Sequence, residues 1–374
     1  MPLTPCTPEE LAEALGSATA DGRTMRLTGR DSKRNMAGPN APADVEISTC
    51  ALTQVRKYEP GDLTISVEAG MPYVELAALL AGHGQMLPLD PPFAGEGTVG
   101  GVVAANLSGP RRRLYGTARD FVIGMRLATA EGKLVETGGM VVKNVAGLDI
   151  SKLLIGSFGT LAAMVSVNFK LAPAPPETRS FAFEFPTLEE ALIRRDAILA
   201  SVLQPSAIDL LSPEAARRAG LDGFVIALQA GGNEGVIRRY TKELAGARVL
   251  EGDEEGAFWT DIREFTPRFL ADTPSGVVVR TPVAVSRMGS VIPSGRPAVA
   301  RAGSGVVYSY FENAAAAAEW LKGKRGVIEF APESDKDGRE LWCAPSGDFE
   351  LMQRLKRLFD PQNLLNRGRL YGRI

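Results

Sequence analysis

The sequence predicts an α+β protein built from more than one domain. Its 374 residues exceed the usual size of a single domain. Residues 171–177, Leu-Ala-Pro-Ala-Pro-Pro-Glu, have the proline density of a linker. On both sides of this linker, short alternating strand patterns are mixed with segments of helical spacing. We therefore expect two α+β units joined near residue 174.

The first unit begins with local signals for a small α+β lobe. Thr7 followed by Pro-Glu-Glu predicts a helix start, with a hydroxyl cap and acids in the first turn. Residues 24–30 predict a strand that ends in a polar turn, and residues 45–48 and 63–69 predict further strands. Residues 72–81 have apolar side chains at helical spacing and stop at Gly82.

Glycines then cluster at residues 95–101 and again at residues 156–159. Glycine lets backbone N–H groups come close to a ligand, so these clusters indicate a large cofactor. Residues 95–100 also match Gly-x-Gly-x-x-Gly, but three prolines at residues 88–92 precede them. A dinucleotide fingerprint must follow a strand, so a Rossmann fold is not favoured. The uncharged run between Lys152 and Lys170 predicts a buried strand, turn and strand, and it is too short to span a membrane.

The second unit has a different pattern. Residues 181–251 predict the order β-α-β-β-α-β, which describes a ferredoxin-like α+β unit. Strands at residues 277–285, 306–311 and 327–330 and a helix at residues 314–321 are expected to form a second layer.

Four glycine-containing blocks occur in a fixed order along the chain. They are Gly-Thr-Val-Gly-Gly at residues 97–101, Gly-Thr-Ala-Arg-Asp at 116–120, Lys-Asn-Val-Ala-Gly-Leu-Asp at 143–149 and Gly-Ser-Phe-Gly-Thr-Leu at 156–161. Together they resemble the FAD-linked oxidases of the vanillyl-alcohol-oxidase type. Residues 84–92 and 109–113 are similar, more particularly, to the FAD-binding subunits of bacterial glycolate oxidases. The resemblance covers residues 25–175, is thin between 180 and 345, and returns at residues 359–368.

The resemblance implies an overall plan. Residues 1–174 are expected to form a two-lobed FAD-binding domain, and residues 175–345 a smaller antiparallel, ferredoxin-like α+β cap over the flavin ring. Residues 346–374 are expected to form a tail that returns to the FAD domain. Relatives that attach flavin covalently use a histidine in the earlier phosphate loop, whereas the only histidine here is His83, after a helix end. We therefore expect noncovalent FAD, with His83 in a capping or surface role.

The resemblance also assigns cofactor contacts. Residues 28–33 correspond to the loop over the FAD pyrophosphate, although one glycine stands where relatives often have three; a solvated basic turn is the alternative. Phe158 stands where many relatives carry glutamate, and Arg367 interrupts the usual Asn-Pro-Gly of the tail. The expected FAD-binding residues are Thr28, Gly29, Arg30, Asp31, Ser32, Lys33, Pro91, Gly97, Thr98, Gly100, Gly101, Asn106, Gly116, Arg119, Asp120, Phe158, Gly159, Met164 and Asn366.

The sequence gives fewer signs of the residues that act on the substrate than of those that bind the cofactor. A hydroxy-acid oxidase needs a cation for the carboxylate and a base or metal near the hydroxyl. Arg280, inside an apolar strand pattern, is the candidate catalytic residue, with a salt bridge to a cap acid or outward exposure as alternatives. For Arg111 to Arg113, a solvent-facing turn and a contact to cofactor phosphate or to an acidic partner both remain open.

Composition limits the classes of partner. A net charge of −2 gives no basic footprint for nucleic acid. Three separated cysteines and one histidine indicate no metal site and cannot supply a four-cysteine iron–sulfur cluster. No signal peptide precedes the first helix, so we expect a cytoplasmic protein, or one held at the inner membrane through a complex.

The leading hypothesis is an FAD-binding subunit of a glycolate-oxidase-like complex. Such a complex oxidises a small 2-hydroxy acid, glycolate, to glyoxylate, with a catalytic FAD-linked oxidase subunit and an iron–sulfur subunit as partners. A self-sufficient FAD-dependent 2-hydroxy-acid dehydrogenase and a non-catalytic scaffold are the alternatives.

Overall fold

The computed structural model describes residues 2–140 and 149–374. Of the predicted block at residues 143–149, only Asp149 therefore lies within the described part. The described residues form a five-stranded and a nine-stranded sheet with helices packed on them, and two smaller two-stranded sheets. This arrangement confirms the predicted α+β class. We call residues 2–174 the N-terminal region, residues 175–345 the central region and residues 346–374 the tail.

The chain begins with one helix and a parallel strand pair. Thr7 caps the helix by accepting a hydrogen bond from the Glu10 amide, and Leu11 and Leu15 on its inner face are fully buried. Met25 pairs with Val45 in the parallel register of the two strands. The elements are α1 (Pro8–Ala20), β1 (Met25–Thr28) and β2 (Val45–Ser48).

The rest of the N-terminal region contains the five-stranded antiparallel sheet. Its elements are β3 (Val55–Glu59), β4 (Thr64–Glu68), α2 (Tyr73–Ala81), β5 (Gln85–Met86), α3 (Val99–Ala104), α4 (Arg112–Tyr115), α5 (Ala118–Phe121), β6 (Val122–Ala128), β7 (Leu134–Gly138), α6 (Ser151–Leu154), β8 (Ala163–Lys170) and β9 (Ala172–Pro173). The strand order is β3-β4-β8-β6-β7, and β5 pairs separately with β9.

The strand, turn and strand predicted between Lys152 and Lys170 is wrong in its first half. The chain there forms the helical turn α6, and only β8 is a strand. Gly156 and Gly159, at φ 81° and 71°, turn the backbone between the two elements. Leu154 is fully buried in the core, so the apolar residues of this run are explained by packing rather than by strand pairing.

The central region contains the nine-stranded sheet. Its elements are β10 (Glu177–Phe185), α7 (Leu188–Ala200), β11 (Ala207–Leu211), α8 (Pro213–Ala216), β12 (Phe224–Gly232), α9 (Glu234–Glu243), β13 (Arg248–Leu250), α10 (Gly252–Arg263), α11 (Phe265–Asp272), β14 (Val277–Pro282), β15 (Ala298–Arg301), β16 (Val306–Phe311), α12 (Ala314–Leu321), β17 (Gly326–Phe330) and β18 (Trp342–Cys343). Strands β10 to β13 and helices α7 and α9 follow each other in the order that the sequence pattern predicts, with the short α8 added.

The later strands extend this sheet and do not form a second layer, so that expectation was wrong. The strand order is β13-β10-β12-β11-β15-β16-β14-β17-β18. The junction is the antiparallel pair β11 and β15, in which Leu210 faces Ala300. Both residues are fully buried, so the junction is a continuous part of the core.

The tail returns to the N-terminal region. It contains the helix α13 (Phe349–Phe359). Beyond it, Leu365 forms a parallel bridge to Met25, at the start of β1. In the central region, Phe330 stacks on Phe93 of the N-terminal region with ring centroids 5.5 Å apart. All three parts therefore meet around residues 25–36. None of the described helices is long and apolar enough to cross a membrane.

Candidate functional site

A cleft opens where β1, α3, the turn before β8 and the tail meet. It consists of two adjoining cavities of about 110 Å³ each, which share Leu27, Thr28, Gly29, Gly101, Ala104, Phe158 and Asn366 in their walls. We call this space the cleft. The predicted site residues that line it are Thr28, Gly29, Arg30, Asp31, Ser32, Lys33, Thr98, Gly100, Gly101, Phe158, Gly159, Met164 and Asn366.

Residues 28–33, which we call the phosphate loop, present backbone donors to the cleft. The amide N–H groups of residues 29–33 donate to no acceptor in the described part of the chain. The loop carbonyls point elsewhere, since Gly29 O accepts from the Ser48 hydroxyl at 2.9 Å and Thr28 O accepts from the Thr49 amide at 2.8 Å. Asp31 has a left-handed φ of 56°. Successive free N–H groups in a turn of this kind make a concave site for an anion.

Lys33 adds a positive charge at the edge of the loop. Its Nζ donates to the Ser32 hydroxyl at 2.9 Å and forms no salt bridge with another described residue. Burial lowers the pKa of Lys33 to about 8, although the charges of Glu96 and Glu264 partly oppose this change. A bound anion would offset the burial and favour the ammonium form. The donor set of the loop therefore fits the pyrophosphate of a dinucleotide.

Of the glycines in the cleft walls, Gly101 leaves room that a side chain would fill, whereas Gly29 packs closely against Thr98. A Cβ on Gly101 would lie 3.1 Å from Thr98 Oγ1 and 3.8 Å from Lys33 Nζ, so this position faces the cleft. A Cβ on Gly29 would lie 2.6 Å from Thr98 Oγ1. Gly100 differs, because its N–H donates to Ala69 O at 2.7 Å and its Cβ would lie 2.8 Å from the Ala69 Cβ. Gly100 is needed for packing on Ala69, and its amide is not free for a ligand.

Asn366 closes the far end of the cleft. Its Oδ1 accepts from the Leu27 amide at 2.6 Å, and its Nδ2 donates to Phe158 O at 2.7 Å. Phe158 has a left-handed φ of 54°, and its ring packs edge-on against Tyr371, with centroids 5.8 Å apart. The Asn366 amide is thus used to fasten the tail to β1 and to the turn before β8, and its side chain also forms part of the wall.

The remaining predicted residues lie outside the walls of the cleft. Asp120 caps α5 by accepting from the Thr117 amide at 2.8 Å, and a Cβ on Gly116 would overlap that carboxylate. Gly97 N donates to Phe93 O at 2.8 Å. Of these remaining residues, three have exposed side chains: Asn106, Arg119 and Asp120. Pro91 lines a separate cavity of about 450 Å³ together with α2 and residues of β10 and β12.

Several residues of the cleft were not foreseen from the sequence. Arg26, Met36, Asn40, Thr49, Ala69, Ala104, Ala105, Ala162, Ala163 and Arg369 also line it. Arg26 pairs with Asp31 at 2.6 Å and with Glu46 at 2.7 Å, which holds one flank of the phosphate loop. Arg369 comes from the tail, and no local sequence pattern associates it with residues more than 300 positions earlier.

The three arginines at residues 111–113 have three different partners. Arg111 Nε donates to Asp90 Oδ2 at 2.7 Å. Arg112 Nη1 donates to the Ser108 hydroxyl at 3.1 Å. Arg113 Nη1 donates to Pro205 O at 3.2 Å, across the boundary with the central region. The turn therefore braces the chain internally, which neither of the two open alternatives anticipated.

Arg280 lies on β14 in a cluster of tyrosines and one acid. Its Nε donates to Glu329 Oε1 at 2.6 Å, and its Nη2 donates to the Tyr371 hydroxyl at 3.4 Å. Burial alone would lower the pKa of Arg280, but Tyr371 and Glu329 raise it above its usual value. Burial raises the pKa of Glu329, against the opposing charge of Arg280. The guanidinium is thus paired with a central-region acid, and 31% of the side chain remains exposed.

Comparison with known proteins finds relatives over nearly the whole chain. Residues 2–138 match the family model of the FAD binding domain, and residues 344–370 match that of the C-terminal domain of FAD linked oxidases. Glycolate oxidase subunit GlcE of Escherichia coli (strain K12) is 31% identical over 98% of this chain and 98% of its own length. Glycolate oxidase subunit GlcD of Bacillus subtilis (strain 168) is 24% identical, over 92% of this chain and 83% of that protein.

The fold is also that of solved flavoenzymes. The structure of p-cresol methylhydroxylase with substrate bound has a TM-score of 0.75 at 15% identity, and the match covers 99% of this chain and 88% of that one. This likeness confirms the predicted vanillyl-alcohol-oxidase type of fold. The matched family models, the full-length similarity to GlcE and the shared fold lead to one conclusion: the chain belongs to the FAD-linked oxidases, and it is an FAD-dependent oxidoreductase.

Proposed function

We propose that this chain is the FAD-binding subunit of a complex that oxidises a small 2-hydroxy acid, glycolate, at its CH–OH group to give glyoxylate. The observation that carries the proposal is the full-length similarity to glycolate oxidase subunit GlcE, joined to a cleft whose donors suit a pyrophosphate. Oxidation of an alcohol requires a hydride acceptor, and bound FAD supplies that chemistry.

In this proposal each part of the cleft has a role. The amides of residues 29–33 and the Lys33 ammonium hold the pyrophosphate. Gly101 leaves space for the cofactor to approach, and noncovalent binding is expected. Phe158, Gly159 and Asn366 line the end of the cleft nearest Tyr371 and Arg280, where the ring side of the cofactor would lie.

Arg280 is the proposed contact for the substrate carboxylate. Within residues 2–140 and 149–374, its Nη2 is engaged only by a 3.4 Å hydrogen bond to Tyr371, while its pairing with Glu329 uses Nε. A guanidinium offers five N–H donors in a planar fork, so a second acceptor can be bound beside Glu329. The role of this arginine is to orient the hydroxy acid, and it does not take up the hydroxyl proton.

The proposal places the rest of the reaction in partner subunits. Among residues 2–140 and 149–374, no group of three or more histidine, cysteine or acidic side chains is placed to hold a metal ion. His83 lies at the end of α2, with Nδ1 3.1 Å from Leu79 O. We propose a catalytic FAD-linked oxidase subunit that completes the chemistry and an iron–sulfur subunit that receives the electrons. A location in the cytoplasm, or at the inner membrane through those partners, belongs to the same proposal.

The test is dye reduction that depends on glycolate, measured with the purified holo-chain alone and with its candidate partners added back. The proposal expects turnover only in the reconstituted mixture, because the described part of the chain holds no group of side chains placed to bind a metal ion that could act on the hydroxyl. Turnover by the chain alone at the rate of the complex would instead identify a self-sufficient dehydrogenase.

A further inference from the structure

Residues 34–40, which follow the phosphate loop, form the segment that carries it, and we call them the loop base. Their backbone is paired mainly with distant parts of the chain. The Ala37 amide donates to Glu329 O at 2.7 Å, and the Ala331 amide donates to Asn35 O at 3.1 Å. Met36 forms an antiparallel bridge with Phe330. The end of β17 thus pairs with the loop base through a short series of backbone hydrogen bonds.

Charged side chains from the same distant parts also bind the loop base. Arg369 of the tail donates from Nη1 to Gly38 O at 2.5 Å and from Nη2 to Lys33 O at 3.4 Å. Glu333 of the central region accepts from the Asn40 amide at 2.5 Å and from the Asn40 side-chain amide at 2.8 Å. The buried Lys336 donates to Gly38 O at 3.2 Å.

Gly38 shows how closely the tail approaches. The Gly38 amide donates to Arg369 O at 2.9 Å. A Cβ on Gly38 would lie 1.8 Å from Gly368 O and 2.6 Å from Gly372 N, so any larger residue would displace the tail backbone. The loop base and the tail therefore fit together only with glycine at this position.

The phosphate loop is held at its start by the N-terminal region, through Ser48, Thr49 and the pair of Arg26 with Asp31. Its amides at residues 29–33 find no acceptor within the described part of the chain. A segment with few internal hydrogen bonds is fixed mainly by its surroundings. At the other end of the loop, the surroundings are the central region and the tail, which act through the loop base and through the Arg369 contact with Lys33 O.

We infer that Arg369 and Glu333 are positioning residues for the cofactor, and that the phosphate loop is competent to bind FAD only while the central region and the tail are docked on the loop base. The inference rests on the proposed seating of the pyrophosphate on residues 28–33. When only a fraction of molecules is competent, the apparent Kd rises by the inverse of that fraction. Contacts from the central region, such as that of Glu333, thus control FAD affinity without lining the cleft.

The experiment uses full-length apoprotein titrated with FAD, with flavin fluorescence to give Kd and amide hydrogen exchange to follow residues 34–40. The variants are Glu333→Leu and Arg369→Gln. Glu333→Leu removes the two carboxylate oxygens that accept from Asn40, and Glu333 does not line the cleft. Arg367→Gln is the matched control, because this exposed tail arginine makes a single 3.4 Å hydrogen bond to Pro42 O. Exchange in the five-stranded sheet reports whether each variant remains folded.

We expect roughly a tenfold or greater increase in the Kd for FAD in both variants, with faster exchange at residues 34–40 and an unchanged sheet. The control should stay within about twofold of the parent chain. The inference is overturned if Glu333→Leu leaves Kd and exchange unchanged. It is also overturned if only Arg369→Gln binds FAD more weakly without faster exchange, since Arg369 would then act by direct contact from the cleft wall. Because the readout is FAD binding, a failure of glycolate turnover leaves this result unaffected.

Discussion

At the scale of single residues, the glycines of the cleft have two different roles. Gly101 faces the cavity, whereas Gly29 and Gly100 are required for close contact with Thr98 and Ala69. The sequence predicted that glycines cluster around a cofactor, because clustered glycine permits close backbone approach. It could not separate these two uses, since only the three-dimensional neighbours of each Cβ position distinguish them. Lys33 likewise gains its unusual pKa from burial, which the sequence of a basic turn does not reveal.

The variant Gly101→Val should weaken FAD binding. Its side chain would enter the cleft from a Cβ already 3.1 Å from Thr98 Oγ1, at a cost of about 1–3 kcal/mol, or roughly 5- to 150-fold in Kd. Gly95→Val is the matched control, because a Cβ at that position meets no atom within 4 Å. Fluorescence titration measures both, and full flavin occupancy in Gly101→Val would remove this residue from the site.

FAD affinity should fall at alkaline pH. The pKa of Lys33 is about 8 in the free protein, and the ammonium is the form that attracts the pyrophosphate. Affinity is therefore complete below pH 7 and declines above pH 8, by about tenfold between pH 7 and pH 9 if binding restores the charge. The variant Lys33→Arg should bind FAD with no such decline, because guanidinium stays charged throughout this range. An equal decline in the arginine variant would show that another group is responsible.

At the scale of helices and strands, the local sequence pattern predicted the order of the elements. It did not predict the pairings between residues distant in sequence. The order of strands and helices in residues 177–250 follows from their periodicity and from turn residues. The helical turn α6 and the continuation of β11 into β15 were not foreseen, because each depends on partners distant in sequence. The tail depends on such partners too. Lys356, on the inner face of α13, donates to Thr160 O at 2.8 Å and to Leu365 O at 2.9 Å.

The variant Lys356→Met should destabilise the fold strongly. It leaves the Asp360 carboxylate, whose side chain is 1% exposed, without its ion-pair partner, at a cost of about 3 kcal/mol. Lys322→Met is the control, because Lys322 and Glu319 form an exposed pair on the surface and their loss should cost under about 0.5 kcal/mol. Urea unfolding gives both values. Equal changes in the two variants would mean that the tail is not held through Lys356.

At the scale of the whole molecule, the cleft is assembled from four separate stretches of the chain. Residues near 30, 100, 160 and 366 line it together, and the resemblance of their motifs to a known family placed most of them in advance. Arg369 and Met36 had no such motif, since their positions depend on how the tail and the central region dock. The 450 Å³ cavity beside Pro91 was likewise beyond prediction, because it exists only between two regions of the folded chain.

The most direct test of the account is the flavin content of the purified chain. The protein is saturated with FAD, freed of excess cofactor, and its visible spectrum is recorded before and after acid precipitation. In the proposed site the donors of residues 29–33 and Lys33 hold the cofactor without a covalent link, so we expect one FAD per chain, released entirely into the supernatant. A chain that retains no flavin after saturation, or that keeps it in the precipitate, would contradict the proposed site.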